Sequence, residues 1–370
     1  MTLHDVIDKF KTYIVKITVD KDSNVFGKMN NKLDEYCNLI KELDCSLVSK
    51  ATQFKTGIQE CFTEYYNGNL YKSSNIMNNL VEEYKDDLYI HDMKFGNSIN
   101  IYENVNQYLY KGIVEDWSKT LDREYMLHIP FDKREIIKTQ RFSIPGVPCL
   151  YLGQSLFIVW EELDRPALDN LFVSRFELSQ ETKVLDLGLN ISDLIQIEKH
   201  SSEGNIPSDL INNVIEKFIF TNIFKIACLI SVKQENRYFK SEYILPQLLL
   251  MSIINLNIAD GIRYSSVRVD NDSYICANYA FPAIKEKNDE RLSSSIISKL
   301  KLTQPINVGL YDFIKVHTMN QSENLFRNYT YFDLNNEYFT VYENTKFYNT
   351  ELKINQDVKL KLTEIILNPK

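Results

Sequence analysis

The stretch RFSIPGVPCLYLGQSLFIVWEEL, Arg141 to Leu163, crowds an arginine, a tyrosine and two adjacent glutamates around one strand-to-helix corner. The two glutamates differ in what the sequence offers them. Glu161 has Arg165 four residues on, a spacing that forms an ion pair on a helix surface and accounts for it structurally. Glu162 has Pro166 at i+4 and Ile158 at i−4, so its own helix supplies no partner. A carboxylate beside an apolar stripe without a helical partner is a candidate for a site; the plain alternative is a side chain facing water. A second group lies far downstream in DGIRYSSVR, Asp260 to Arg268, which combines a turn, two arginines, a tyrosine and two serines. Taken alone, that segment reads equally as a solvated hairpin edge.

Other chemistry lacks its usual signature. There is no GxGxxG and no GxxxxGK[ST], so the common phosphate-cradling loops are missing, and neither HExxH nor GxSxG occurs. The five histidines, His4, His91, His128, His200 and His317, are far apart, and no metal site is expected from them. His128, in MLHIPF, reads as a core or hydrogen-bonded residue before it reads as a base. The six cysteines form no CxxC pair and are spread over the chain, the pattern of reduced thiols in a cytoplasmic protein rather than of disulfides or a zinc site.

The elements that must position these residues can be read from turns and periodicity. Ile144-Pro145-Gly146-Val147-Pro148 must turn, Cys149 to Leu152 is a short strand, and Ser155 caps a helix whose core stripe is Leu156, Val159, Trp160 and Leu163. Upstream, residues 1 to about 95 follow a helical period: Val6, Ile7, Phe10, Tyr13 and Ile14, then Val25 through Ile40, with a break at Asn67-Gly68-Asn69 and a further helix over Leu70 to Tyr84. This region reads as a helical bundle or cap; a partner-binding module is the alternative. From Tyr102 to about Ala283 strands and helices mix. Val184 to Leu187 reads as a strand before Gly188, Ser208 starts a helix through Ile219, and Pro246 opens an apolar helix to Leu256. Tyr274 to Phe281 follows as a strand. Beyond Ile306 the chain reads as β, with a hairpin over Tyr329–Phe332 and Tyr338–Tyr342 and a continued pattern at Leu352, Ile354, Val358, Leu360 and Leu362.

With 370 residues, the chain has room for two or three structural units, at roughly 150 residues per domain. An apolar content of 44% with 25% charged residues is that of a globular protein. A formal charge of −8 argues against direct nucleic-acid binding, while leaving room for a small, locally basic nucleotide pocket. The N-terminus has charges throughout and lacks the apolar core of a signal peptide. The most apolar region, Leu210 to Leu256, is interrupted by five lysines and arginines, so no membrane span is expected.

Together the two clusters resemble the signature of the RES-domain family. An Arg a few residues before a Gly, then LYL, then a helix ending in a Glu selects Arg141, Gly146, Tyr151 and Glu162. The closing motif, Gly-hydrophobic-x-aromatic-x-Ser, selects Gly261, Tyr264 and Ser266, and CANYAFPA, Cys276 to Ala283, looks like the family's end strand. The resemblance covers about half the chain, Tyr102 to Ala283. It implies an α+β fold with a mixed β core like that of ADP-ribosyltransferases and surrounding helices. An all-helical region (1–100) would precede a RES-like catalytic domain (101–290), and a β-rich extension (291–370) would follow and pack on it.

Characterised RES members are toxins that destroy NAD+ by phosphorolysis or hydrolysis and are neutralised by an antitoxin. The resemblance therefore implies an NAD+ phosphorylase or glycohydrolase, with NAD+ as substrate, inorganic phosphate as a possible co-substrate and no cofactor. It assigns Glu162 to the ribose, Arg141 to the pyrophosphate with Lys111 assisting, and Tyr151 to the nicotinamide ribose. Ser266 falls to a phosphate, and Tyr110 and Tyr264 to substrate binding. The family usually carries Tyr/Phe-Arg near the start of the domain, where this chain has Tyr110-Lys111. Lysine keeps the charge and loses the two-pronged grip of a guanidinium on phosphate. Two other readings stand beside this one: ADP-ribosyl transfer to a macromolecule, and a non-catalytic interaction protein that kept the fold.

Overall fold

The computed structural model describes residues 2–13, 15–93, 108–202, 208–234, 237–269, 274–287, 290–311, 342 and 345–365. In chain order the helical start comprises α1 (Leu3–Phe10), the short strand β1 (Ile17–Val19), α2 (Val25–Leu43), α3 (Val48–Tyr66) and α4 (Leu70–Tyr84). Then come β2 (Ile90–Asp92), β3 (Leu109–Val114), β4 (Cys149–Gly153), α5 (Leu156–Glu162), β5 (Leu171–Leu178) and β6 (Lys183–Asp186). Helices α6 (Ile191–Ser202) and α7 (Ser208–Cys228) lead through β7 (Ile230–Val232) to α8 (Ile244–Asn255). The chain continues with β8 (Gly261–Ser265), β9 (Ala277–Pro282), α9 (Ser294–Ile297), β10 (Leu300–Leu302), β11 (Ile306–Asn307) and α10 (Lys346–Gln356). The fold class is α+β, as the sequence implied.

Two compact units share this chain. The first gathers Met1–Glu103, Lys138–Pro145 and Lys183–Val267; the second gathers Asn104–Ile137, Gly146–Thr182 and Arg268–Lys370. The expected middle domain is divided between them, and the residues beyond 291 belong with the second unit. The reason for the division is packing. In the first unit α7 lies against the N-terminal helices: Phe10 meets Phe218 edge-on at 5.9 Å, Phe54 meets Phe224 at 4.7 Å, and the Tyr36 hydroxyl donates to the Ile219 carbonyl at 2.9 Å. The N-terminal region is also not purely helical. The β-branched run at 17–19 pairs in parallel with β7, and β2 pairs antiparallel with β6, which runs parallel to β8.

In the second unit the strand order is β10-β5-β3-β4-β9, with β11 also on β5. Helix α5 packs on this sheet where two glycines admit it. A Cβ on Gly112 would stand 2.5 Å from Val159 Cγ1, and one on Gly153 would stand 2.7 Å from Ile158 Cγ2. Side chains of any size there would push the helix off.

One expectation is corrected. Leu352 and Ile354, read as strand, lie in α10, and Val358, Leu360 and Leu362 follow it in turn and coil. Thr345 caps this helix by accepting from the Tyr348 N–H at 3.2 Å. The residues it buries, Phe347, Thr350, Glu351 and Ile354, recur at helical spacing, and the alternation seen at Leu352 and Ile354 is one half of that pattern. The hairpin expected over 329–342 lies outside the described residues apart from Tyr342.

Candidate active site

Glu162 is the last residue of α5, and the chain breaks sharply after it. Asp164 and Arg165 both adopt left-handed backbone, with φ of 62° and 56°. Two consecutive non-glycine residues in that region cost on the order of 1 kcal/mol each or more. Side chains hold the corner closed. Arg165 Nε donates to Glu161 Oε2 at 2.9 Å, and Trp160 Nε1 donates to the Pro166 carbonyl at 2.8 Å. The predicted Glu161–Arg165 ion pair is therefore present, and it helps to place its neighbour.

Glu162 takes its partners from distant sequence. Asn278 Nδ2 donates to Oε1 at 2.6 Å, and Arg268 Nε stands 3.3 Å from Oε2. Arg268 also pairs with Asp164 beyond the turn. Donors on both oxygens fix the carboxylate's orientation, while a third of the side chain stays open to solvent. Asn278 reaches Glu162 from β9. In the β4–β9 register Tyr151 faces Ala280 and Gly153 faces Asn278. Tyr151 and Asn278 are thus diagonal neighbours on one face, roughly 7–8 Å apart at the backbone. That face joins Tyr151 to the Glu162 group.

Tyr151 in turn hydrogen-bonds the Cys149 thiol, and Lys111 lies within electrostatic reach of the same thiol. Lys111 donates to the Leu127 carbonyl and has no carboxylate partner among the described residues. Burial lowers its ammonium from the ordinary 10.5 to about 8, and raises the Cys149 thiol well above its usual range. His128 is close by and is structural, as its sequence context suggested. Nδ1 lies 2.9 Å from the Ile129 carbonyl, Nε2 accepts from the Ser293 N–H at 2.9 Å, and burial lowers it from 6.5 to about 4. Tyr110, on β3 beside Lys111, belongs to the core. It is fully buried and its hydroxyl donates to Asn355 Oδ1 at 3.1 Å.

The remaining expected residues sit in the first unit. Arg141 is buried, donates through Nη1 to the Cys228 and Ile230 carbonyls at 2.9 Å each, and lies over the Tyr243 ring at 5.1 Å. Its neighbour Phe142 contacts Tyr264 at 4.6 Å between ring centres. Tyr264 stands on β8, all five residues of which are buried, and Ser266 follows it with no exposed surface. The hairpin-edge alternative for this segment is set aside by that burial.

Within the second unit the structure therefore gathers Glu162 and Tyr151 and adds Asn278, Arg268 and Asp164, while Lys111 is linked to them only through the Cys149 thiol. Asn278 left a trace in the sequence, as the one amide inside an otherwise apolar strand. Arg268 stood in a quoted motif with no role attached. Asp164 gave no signal. Among the described residues no group of three His, Cys, Asp or Glu side chains is placed to hold a metal ion. None of the described helices is long and apolar enough to cross a membrane.

Comparison with known proteins gives one informative likeness. The chain is 35% identical over 196 residues to a Bacillus subtilis (strain 168) protein named "Putative toxin YopC". The aligned part is 51% of this chain and 44% of the relative, so the chain spans under half the length of that protein. No family profile and no solved structure matches the chain.

Proposed function

We propose that this chain is a RES-type toxin that cleaves the nicotinamide–ribose bond of NAD+, with phosphate or water as acceptor. The observation that carries the reading is Glu162: a carboxylate oriented on both oxygens by Asn278 and Arg268, open to solvent, and joined through one sheet face to Tyr151. The likeness to YopC supports the toxin role, and the RES-like motifs supply the chemistry. Cleavage breaks the bond between the ribose C1′ and the pyridinium nitrogen, and the electron pair leaves with neutral nicotinamide. No general acid is needed. The sugar becomes oxocarbenium-like, and a fixed anion beside it lowers that barrier. Glu162 takes this role and holds a ribose hydroxyl. Lys111, with no carboxylate partner among the described residues, serves the pyrophosphate. Tyr151 packs on the nicotinamide ribose. A toxin of this kind calls for a neutralising antitoxin protein as its partner.

The test is NAD+ consumption by purified protein with and without phosphate, beside Glu162→Gln. Phosphate-dependent loss that vanishes in the variant establishes phosphorolysis at this site, and loss without phosphate makes water the acceptor. Transfer of labelled ADP-ribose to a macromolecule moves the chain to the transferase reading. Unchanged NAD+ in both buffers with folded protein removes the proposal.

A further inference from the structure

The first unit holds a cavity of about 370 Å³ that has no part in the proposed reaction. Its walls come from three places. Tyr89, Ile90, His91 and Asp92 line it from β2 and the residue before; Asn213, Val214 and Lys217 from one face of α7; and Lys183 and Ile258 close it. The interior is mostly apolar, made by Ile90, Val214, Ile258 and the Tyr89 ring. Its volume lies in the range of small-ligand pockets, roughly 300–1,000 Å³.

The charges around it are unequal. Lys183 and Lys217 both border the cavity, and among the described residues neither ammonium is in an ion pair. Asp92 is the one carboxylate among the described lining residues. Asp260, next to Lys183, accepts from the Lys183 backbone N–H at 2.9 Å. The lining therefore carries two positive charges against one negative. His91 acts as a wall rather than as a base, because Nδ1 lies 2.9 Å from the Asp92 carbonyl and Nε2 lies 3.2 Å from Asp186 Oδ2. Asp186 is held in turn by Arg263 at 2.8 Å.

We infer that this cavity is a binding site for a small amphiphilic monoanion, a carboxylate with an aliphatic body. The body lies on Val214, Ile258 and Ile90, and the head group meets Lys183 and Lys217. The inference is independent of NAD+ chemistry. Sodium octanoate titrated calorimetrically into the full chain should bind at a single saturable site. Octylamine, of equal length and opposite charge, and octanol, uncharged, should each bind on the order of tenfold more weakly or worse. Lys217→Glu should weaken octanoate by a similar factor, and Val214→Trp, which fills the floor, should remove binding. Lys217→Ser, a small change on a helix surface, keeps the test open if the tryptophan variant fails to fold. Absence of saturable heat up to about 5 mM octanoate, or affinity equal for octanoate and octylamine, overturns the inference. So does affinity unchanged in folded Lys217→Ser and Lys217→Glu.

Discussion

Three side chains carry their meaning at the scale of single residues. Arg141 spends one guanidinium nitrogen on two backbone carbonyls, so it is structural whatever else it does. Arg141→Met should lower stability by about 2–3 kcal/mol, because it strands buried acceptors. A fall in the unfolding midpoint checks this, and a midpoint equal to wild type would show that the two bonds add nothing. Lys111 behaves in the opposite sense. Its folded value, about 8, lies below the ordinary 10.5, so between those limits the unfolded chain binds the extra proton and stability rises with pH. Lys111→Met should therefore raise the melting temperature at pH 7, with the gain shrinking toward pH 10.5, and should impair NAD+ cleavage at every pH. Melting curves at pH 7 and about pH 10 decide it. Glu162, by contrast, is a third exposed, and Glu162→Gln should abolish activity with little change in melting. A large drop in melting would make its role structural.

At the scale of elements, glycine placement decides how α5 sits on its sheet. A methyl on Gly112 meets Val159 Cγ1 at 2.5 Å and Leu163 Cδ1 at 2.8 Å, in a packed contact that cannot yield freely. Gly112→Ala should cost about 1–3 kcal/mol and displace the helix that ends in Glu162, so activity should fall with stability. Gly27 is the control. It lies exposed within α2 with nothing within 4 Å of a new Cβ, and Gly27→Ala should stabilise by about 1 kcal/mol through helix propensity. Chemical denaturation of the two variants gives both signs in one experiment. The same scale explains why helices were legible from sequence. In α2 the buried residues Val25, Met29, Leu33, Tyr36, Cys37 and Ile40 repeat at helical spacing, and a local pattern needs no knowledge of the partner. The C-terminal helix was missed because the buried residues Thr350 and Glu351 are polar, and hid the stripe.

At the scale of the whole molecule, charge sets what the protein attracts. With a net charge of −8 the chain should leave duplex DNA unshifted in a gel at physiological salt, where a nucleic-acid-directed enzyme would bind. A shift that weakens with salt would revise the substrate class. Sequence by itself determined what depends on neighbours along the chain. It marked the α+β class, the Ser155-capped helix, the Glu161–Arg165 pair and the absence of common phosphate loops. It also set Glu162 apart, because a missing helical partner is a local fact. Tertiary structure decided the rest. Asn278 and Arg268 reach Glu162 from more than a hundred residues downstream, Arg141 spends its bonds on the end of α7 and on β7, and Tyr110 turns into the core. Which partner fills a side chain's bonds depends on strand register and on how helices pack across the chain, and no spacing within a motif encodes either.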